Sequence, residues 1–187
     1  MKHAIPFAIL GFLLILVTYV ILQPLAAEED GNIPAEPNSP AVVCAPDFQD
    51  YPASSTEDFT QAEEIDFSSN EDAKNFQAKI TEAFEAGPNF AGHYTLADWG
   101  CGTSCASAAV VNNETGVIIA YGIEATAGYD FSTSSRLLIV NPKTNLPNDP
   151  NLIYQGLKTY YFELKDDKLK FVCEAQAYPD SMRKNNQ

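Results

Sequence analysis

The sequence predicts an α+β fold: a single domain with one N-terminal helix packed on an antiparallel sheet of about five or six strands, stapled by disulfides. Three observations carry this. One stretch near residues 69–88 has helical periodicity, the chain from His93 onward changes to strand-like alternation and short apolar runs, and four Cys follow an export-type leader. Without residues 1–27, 160 of the 187 residues remain, enough for one domain with its own core.

Lys2 and His3 precede an almost wholly apolar run from Ala4 to Leu22, followed by Pro24, Leu25-Ala26-Ala27 and then Glu28-Glu29-Asp30. A positive start, an apolar run, a helix breaker and a small-residue site read as an export signal cut after Ala27. The run also approaches the length of a membrane-spanning helix, so residues 1–27 are either a cleaved signal peptide or an N-terminal membrane anchor. Both outcomes put the rest of the chain outside the cytoplasm, periplasmic, secreted or anchored in the inner membrane. No Cys ends the apolar run, which argues against lipidation.

Residues 28–66 form an acidic arm. Between Glu28 and Ala73 there are 13 Asp/Glu and no Lys or Arg, whereas Lys74 to Gln187 hold 12 acidic and 10 basic residues. The net charge of -14 is thus an acidic arm on a nearly neutral body. Such a segment repels nucleic acid and anionic lipid, confines membrane contact to the N-terminal segment, and attracts cationic proteins or metal ions. The stretch "EEDGNIPAEPNSPA" is linker-like, and the arm is expected to be solvated and partly disordered. "DFQDYPASSTEDFTQAEEIDF" nevertheless carries Phe48, Tyr51, Phe59, Ile65 and Phe67, enough apolar surface to touch the body.

The domain is expected over residues 67–178, with Cys44 tethered to it and a polar tail at 179–187. In "SSNEDAKNFQAKITEAFEAGPN", Ser69 and Asp72 read as a capping box, Gly87-Pro88 as the stop, and Ala73, Phe76, Ile80, Ala83 and Phe84 as one apolar stripe. "HYTLADW" alternates, "ASAAVVNNETGVIIAYG" is two apolar runs around a turn, and "SSRLLIVNP" is a short buried-type strand. "KTYYFELKDDKLKFVC", turned at Asp166-Asp167, sets Leu164 opposite Leu169, Phe162 opposite Phe171, Tyr160 opposite Cys173 and Glu163 opposite Lys170.

An even number of Cys in an exported chain suggests two disulfides, with three possible pairings. Cys101 with Cys105 is favoured, because four residues across a Gly-containing turn bring the Cα atoms within bridging range. That leaves Cys44 with Cys173.

The stretch "NFAGHYTLADWGCGTSC" concentrates rare residues: His93, the only His outside the N-terminal segment, the only Trp, and two Cys. With Cys101 or Cys105 as nucleophile and Asp98 as orienter, the residue types of a Cys-His-Asp arrangement are present. Their closeness in sequence and the expected oxidation of the Cys pair argue against it. His93, Asp98 and Cys101 therefore stand as catalytic candidates only. A redox C-x-x-C, a zinc site, haem attachment, a P-loop and a calcium loop each lack a required residue or spacing, so no cofactor and no metal is expected.

Arg136 opens an apolar strand and is expected to lock a carboxylate, Asp98 or Asp130, rather than bind an anionic ligand. Tyr94, Trp99, Tyr121, Tyr129, Phe131 and Tyr154 surround the cysteine turn in sequence and at strand spacing read as core. Trp99, Tyr129 and Arg136 are the candidates for a binding face.

"NFAGHYTLADWGCGTSC", "AVVNNETGVI", "SSRLLIVNP" and the "YYFELKDDKLKF" hairpin together resemble a family of uncharacterised bacterial exported proteins, over residues 86–172, with W-G-C-G-T-x-C as the specific part. The resemblance implies a bacterial origin and one compact domain, and no catalytic residue. The leading expectation is a non-enzymatic binding or inhibitory module for a cationic protein, such as a basic hydrolase, in the periplasm or at the cell surface. Its alternatives are a hydrolase, redox or metal-dependent protein using His93 with Asp98 and Cys101 or Cys105, and a structural envelope component.

Overall fold

A computed structural model of the chain describes residues 44–54, 59–147 and 156–178. All lie in one contact-defined unit, Val42–Gln187. Residues 1–27, the linker 28–43, Tyr154 and the tail 179–187 fall outside the described residues. Among the described residues no helix is long and apolar enough to cross a membrane.

The helical stretch begins as a 3-10 segment, Glu71–Phe76, and continues as an α-helix, α1, over Gln77–Glu85. Its apolar stripe is the expected one: Ala73, Ile80 and Phe84 are buried, and Phe76 and Ala83 pack beside them. The expected capping box is absent, because the Ser69 hydroxyl is used elsewhere. It accepts the Ile118 N–H at 3.0 Å, and Asn70, the cap residue, makes no side-chain cap bond. Gly87, at φ 94°, follows the helix end as expected.

Among the described residues seven strands follow: β1 (Tyr94–Gly102), β2 (Cys105–Asn112), β3 (Ile118–Ala125), β4 (Tyr129–Ser132), β5 (Ser135–Val140), β6 (Lys158–Lys165) and β7 (Lys168–Gln176). All pair antiparallel, but in two sheets, β1-β2-β3 and β4-β5-β6-β7, rather than the single sheet expected. The apolar runs explain the difference. A strand covered on one face alternates, whereas Ala108, Ala109, Val110 and Val111 on β2 are all fully buried. One face, with Leu96, Ala108 and Val110, meets Leu138, Val140 and Leu164 of the second sheet. The other, with Ala97, Trp99, Ala109 and Val111, meets the helical stripe.

The second sheet also carries a cover. Leu137 and Leu138 on β5 are both fully buried although they point to opposite faces. The strap Cys44–Ser54 runs beside β5: Ser135 donates to the Phe48 and Tyr51 carbonyls, and the Ala53 N–H donates to Ser134 O at 2.9 Å. A Cβ on Gly92 would fall 2.9 Å from Ser54 O, so the strap approaches the β1 entry as closely as glycine permits.

The β6–β7 hairpin turns at Asp166 and Asp167, with φ of 54° and 53°, the left-handed pair that a two-residue turn of this type requires. Leu164 faces Leu169, Glu163 faces Lys170 and Phe162 faces Phe171, as the sequence predicts. Beyond that a bulge shifts the register, and Cys173 faces Tyr161 instead of Tyr160. The extra residue moves Cys173 to the other face of the strand, where it bonds Cys44.

Both expected disulfides are present, Cys44–Cys173 spanning 129 residues and Cys101–Cys105 spanning 4. On the chain-entropy model they contribute about 5 and about 2 kcal/mol respectively, so the long bridge is the structural one. Two disulfides fit an oxidising compartment outside the cytoplasm.

Candidate functional site

His93 sits just before β1, half-buried, with its ring stacked on Tyr94 at 4.4 Å and tilted against Phe59 at 5.5 Å. Its Nε2 lies 4.0 Å from Glu114 Oε2, and its carbonyl accepts the Asn113 N–H at 2.9 Å. Asp98 is exposed in mid-β1 and Cys101 lies near the end of that strand. At about 3.3 Å per residue, Cys101 is roughly 25 Å along the strand from His93. A Cys-His-Asp constellation is therefore not assembled, and both Cys of the turn are bonded to each other. Among the described residues, no three His, Cys, Asp or Glu side chains group to hold a metal ion.

The three candidates for a binding face are engaged inside the fold. Trp99 is buried, stacked on Phe76 at 4.5 Å and tilted against Tyr121 at 5.8 Å. Tyr129 donates its hydroxyl to the Ile123 carbonyl. Burial, then the charges of Asp98 and Glu124, push its pKa well above the usual phenol value. Arg136 pairs with Glu163 at 2.7 Å, not with Asp98 or Asp130, and donates from Nε to Pro52 O at 3.0 Å. Its backbone N–H reaches Tyr51 O at 2.8 Å, so Arg136 clamps the strap to β5.

The feature that residue-type reasoning missed is a groove of about 400 Å³ between residues 61–67 and α1, lined by Glu63, Glu64, Gln77, Thr81, Phe84 and Glu85 among others. Its outer wall is a docked part of the acidic arm. Ala62 N–H donates to Asn113 O at 2.8 Å, Asp66 N–H to Gly116 O at 2.9 Å, and Gln61 Nε2 to Phe84 O at 3.2 Å. Ala62, Ile65 and Phe67 add to the core under the helix. The signal was in "QAEEIDF", whose apolar positions turn inward and leave Glu63 and Glu64 exposed.

The electrostatics follow from who is paired. Lys74 bonds Glu71 at 2.9 Å and Lys79 bonds Glu82 at 3.0 Å, so both cations of the helical segment are matched by their neighbours. Among the described residues no Lys, Arg or His lies within ion-pair distance of Glu63, Glu64 or Glu85. Three exposed carboxylates around one groove attract a cation without an internal competitor.

A second groove, of about 420 Å³, is apolar. Ala120 and Ile123 of β3 face Val140, Tyr160, Phe162 and Leu169, with Glu124 also lining it. Phe171, paired with Phe162, is 58% exposed.

No protein-family model, curated protein or solved structure matches the chain.

Proposed function

We propose that this chain is an exported, non-enzymatic binding module that takes cationic side chains of a protein partner into the groove between residues 61–67 and α1. One observation carries the reading: Glu63, Glu64 and Glu85 line a groove and have no cationic partner among the described residues, while the neighbouring Lys74 and Lys79 are already matched. The docked arm holds two of these carboxylates on a hydrogen-bonded backbone, so less conformational entropy is lost on binding than from a free tail. The partner is a basic protein, a hydrolase to be inhibited being one such class, met in the periplasm or at the cell surface. The separation of His93, just before β1, from Cys101 near the strand's far end, and the bonding of Cys101 to Cys105, support binding over catalysis.

Capture from the exported protein fraction tests this. The native chain retains basic proteins at about 50 mM salt and releases them near 0.5 M, since exposed charges are screened beyond about 10 Å at 0.1 M. The triple variant E63Q/E64Q/E85Q retains none of them. Equal retention by the native chain and the variant, or retention that ignores salt, rejects the groove as the site.

A further inference from the structure

We propose that the Cys101–Cys105 disulfide is a thiol-exchange site, opened and reclosed by a dithiol while Cys44–Cys173 stays intact. The two bridges differ in access. Cys101, Gly102 and Thr103 are exposed at the hairpin tip beside a half-buried Cys105, whereas Cys44 and Cys173 are both half-buried, so only the tip bridge presents an exposed cysteine. A Cβ built at Gly100 or at Gly102 meets no atom within 4 Å, so the tip stands in open space. An attacking thiolate needs such room, because it approaches along the S–S axis.

The fold also tolerates the opening. Seven register pairs, from Tyr94 with Asn112 to Gly100 with Ala106, hold β1 to β2 without help from the bridge. Cys101 itself is skipped where the register shifts between Gly100 and Gly102, so it pairs with no residue across the hairpin. The tip disulfide closes a span of only 4 residues, against 129 for Cys44–Cys173. Opening it frees little chain, and the two thiols stay close enough to close again.

In the exchange, one thiolate of the donor attacks Cys101 Sγ, forming a mixed disulfide as Cys105 leaves as a thiolate. The donor's second thiol then attacks its own sulfur in the mixed disulfide and releases Cys101. Two electrons and two protons pass to the pair, and the donor leaves as its own disulfide. A small thiol, acting as two molecules in turn, and a protein dithiol share this chemistry.

The test is graded reduction of the intact exported chain with dithiothreitol, acid quenching, alkylation and peptide mapping. Cys101 and Cys105 are expected to become alkylated at a dithiothreitol concentration roughly tenfold lower than Cys44 and Cys173. The far-UV circular dichroism stays unchanged over that first step, and Trp99 fluorescence changes, because Trp99 lies two residues from Cys101. Opening of Cys44–Cys173 first, or of all four Cys in one step with loss of structure, overturns the proposal. Parallel arms with reduced glutathione and with a thioredoxin-type dithiol protein distinguish the donors, and failure of both to open the tip also overturns it.

Discussion

Gly116 lies so close to Glu64 that a Cβ at position 116 would fall 2.3 Å from the Glu64 carbonyl oxygen, with Gly116 at φ 73°. The contact seats the acidic arm on the β2–β3 turn, and both the conformation and the space demand glycine. Gly116→Ala is expected to cost about 1–3 kcal/mol in denaturant unfolding and to expose residues 59–69 to proteolysis, because the clash is with backbone that cannot rotate away. Unchanged protease resistance of that segment would mean that the arm is held by other contacts.

Removing the bridges separately separates their roles. Cys44→Ser with Cys173→Ser is expected to lose about 5 kcal/mol, and Cys101→Ser with Cys105→Ser about 2 kcal/mol, since the loss grows with the logarithm of the loop each bridge closes. Equilibrium unfolding of the two double variants measures the difference.

Stability is expected to fall above about pH 10. Tyr94 donates its hydroxyl to Asp167 at 2.8 Å, and Asn112 donates to the same oxygen at 2.9 Å, which joins β1 and β2 to the β6–β7 turn. Burial first, then the Asp167 hydrogen bond and the charges of Asp167 and Glu114, raise the Tyr94 pKa, and burial raises that of Tyr129. A folded pKa above the unfolded value means that the stabilisation is complete below the unfolded pKa and is lost as pH rises through the folded one. Tyr94→Phe is expected to cost roughly 1 kcal/mol at neutral pH and to make the alkaline decline shallower, read from melting temperature against pH.

Arg136 is expected to be irreplaceable by Lys. Its guanidinium serves Glu163 and the Pro52 carbonyl at once, which a single ammonium cannot do in the same geometry. Arg136→Ala is expected to lose about 1–3 kcal/mol and Arg136→Lys to recover less than half of that. Full recovery by Lys in thermal unfolding would reduce the residue's role to charge alone.

Much of the fold was legible in local patterns. The helical stripe, the strand positions, the Asp166-Asp167 turn with three of its four expected pairs, and both disulfides follow from periodicity, turn chemistry and Cys spacing. The second sheet was not legible, because runs such as "SAAVV" and "RLLIV" say that a strand is buried on both faces without saying what lies on each. Ser69 misled as a cap because its real partner, Ile118, is 49 residues away. Trp99 and Arg136 carry the residue types of a binding face, and only their neighbours show them engaged: Trp99 under Phe76, and Arg136 with Glu163 and the strap. The groove was hidden for a related reason, since its two walls are separated in sequence and its charge shows only when Lys74 and Lys79 are seen to be matched by their neighbours.

Attraction for a cationic partner is expected to depend on where the charge sits rather than on its total. Isothermal titration of a decalysine peptide into three chains tests it: native, E63Q/E64Q/E85Q, and D98N/E124Q/D130N, which removes the same charge from β1, β3 and β4. The groove variant is expected to bind roughly tenfold more weakly than the native chain, and the control variant to stay within about threefold. Equal losses in the two variants would contradict the account and leave net charge alone as the source of attraction.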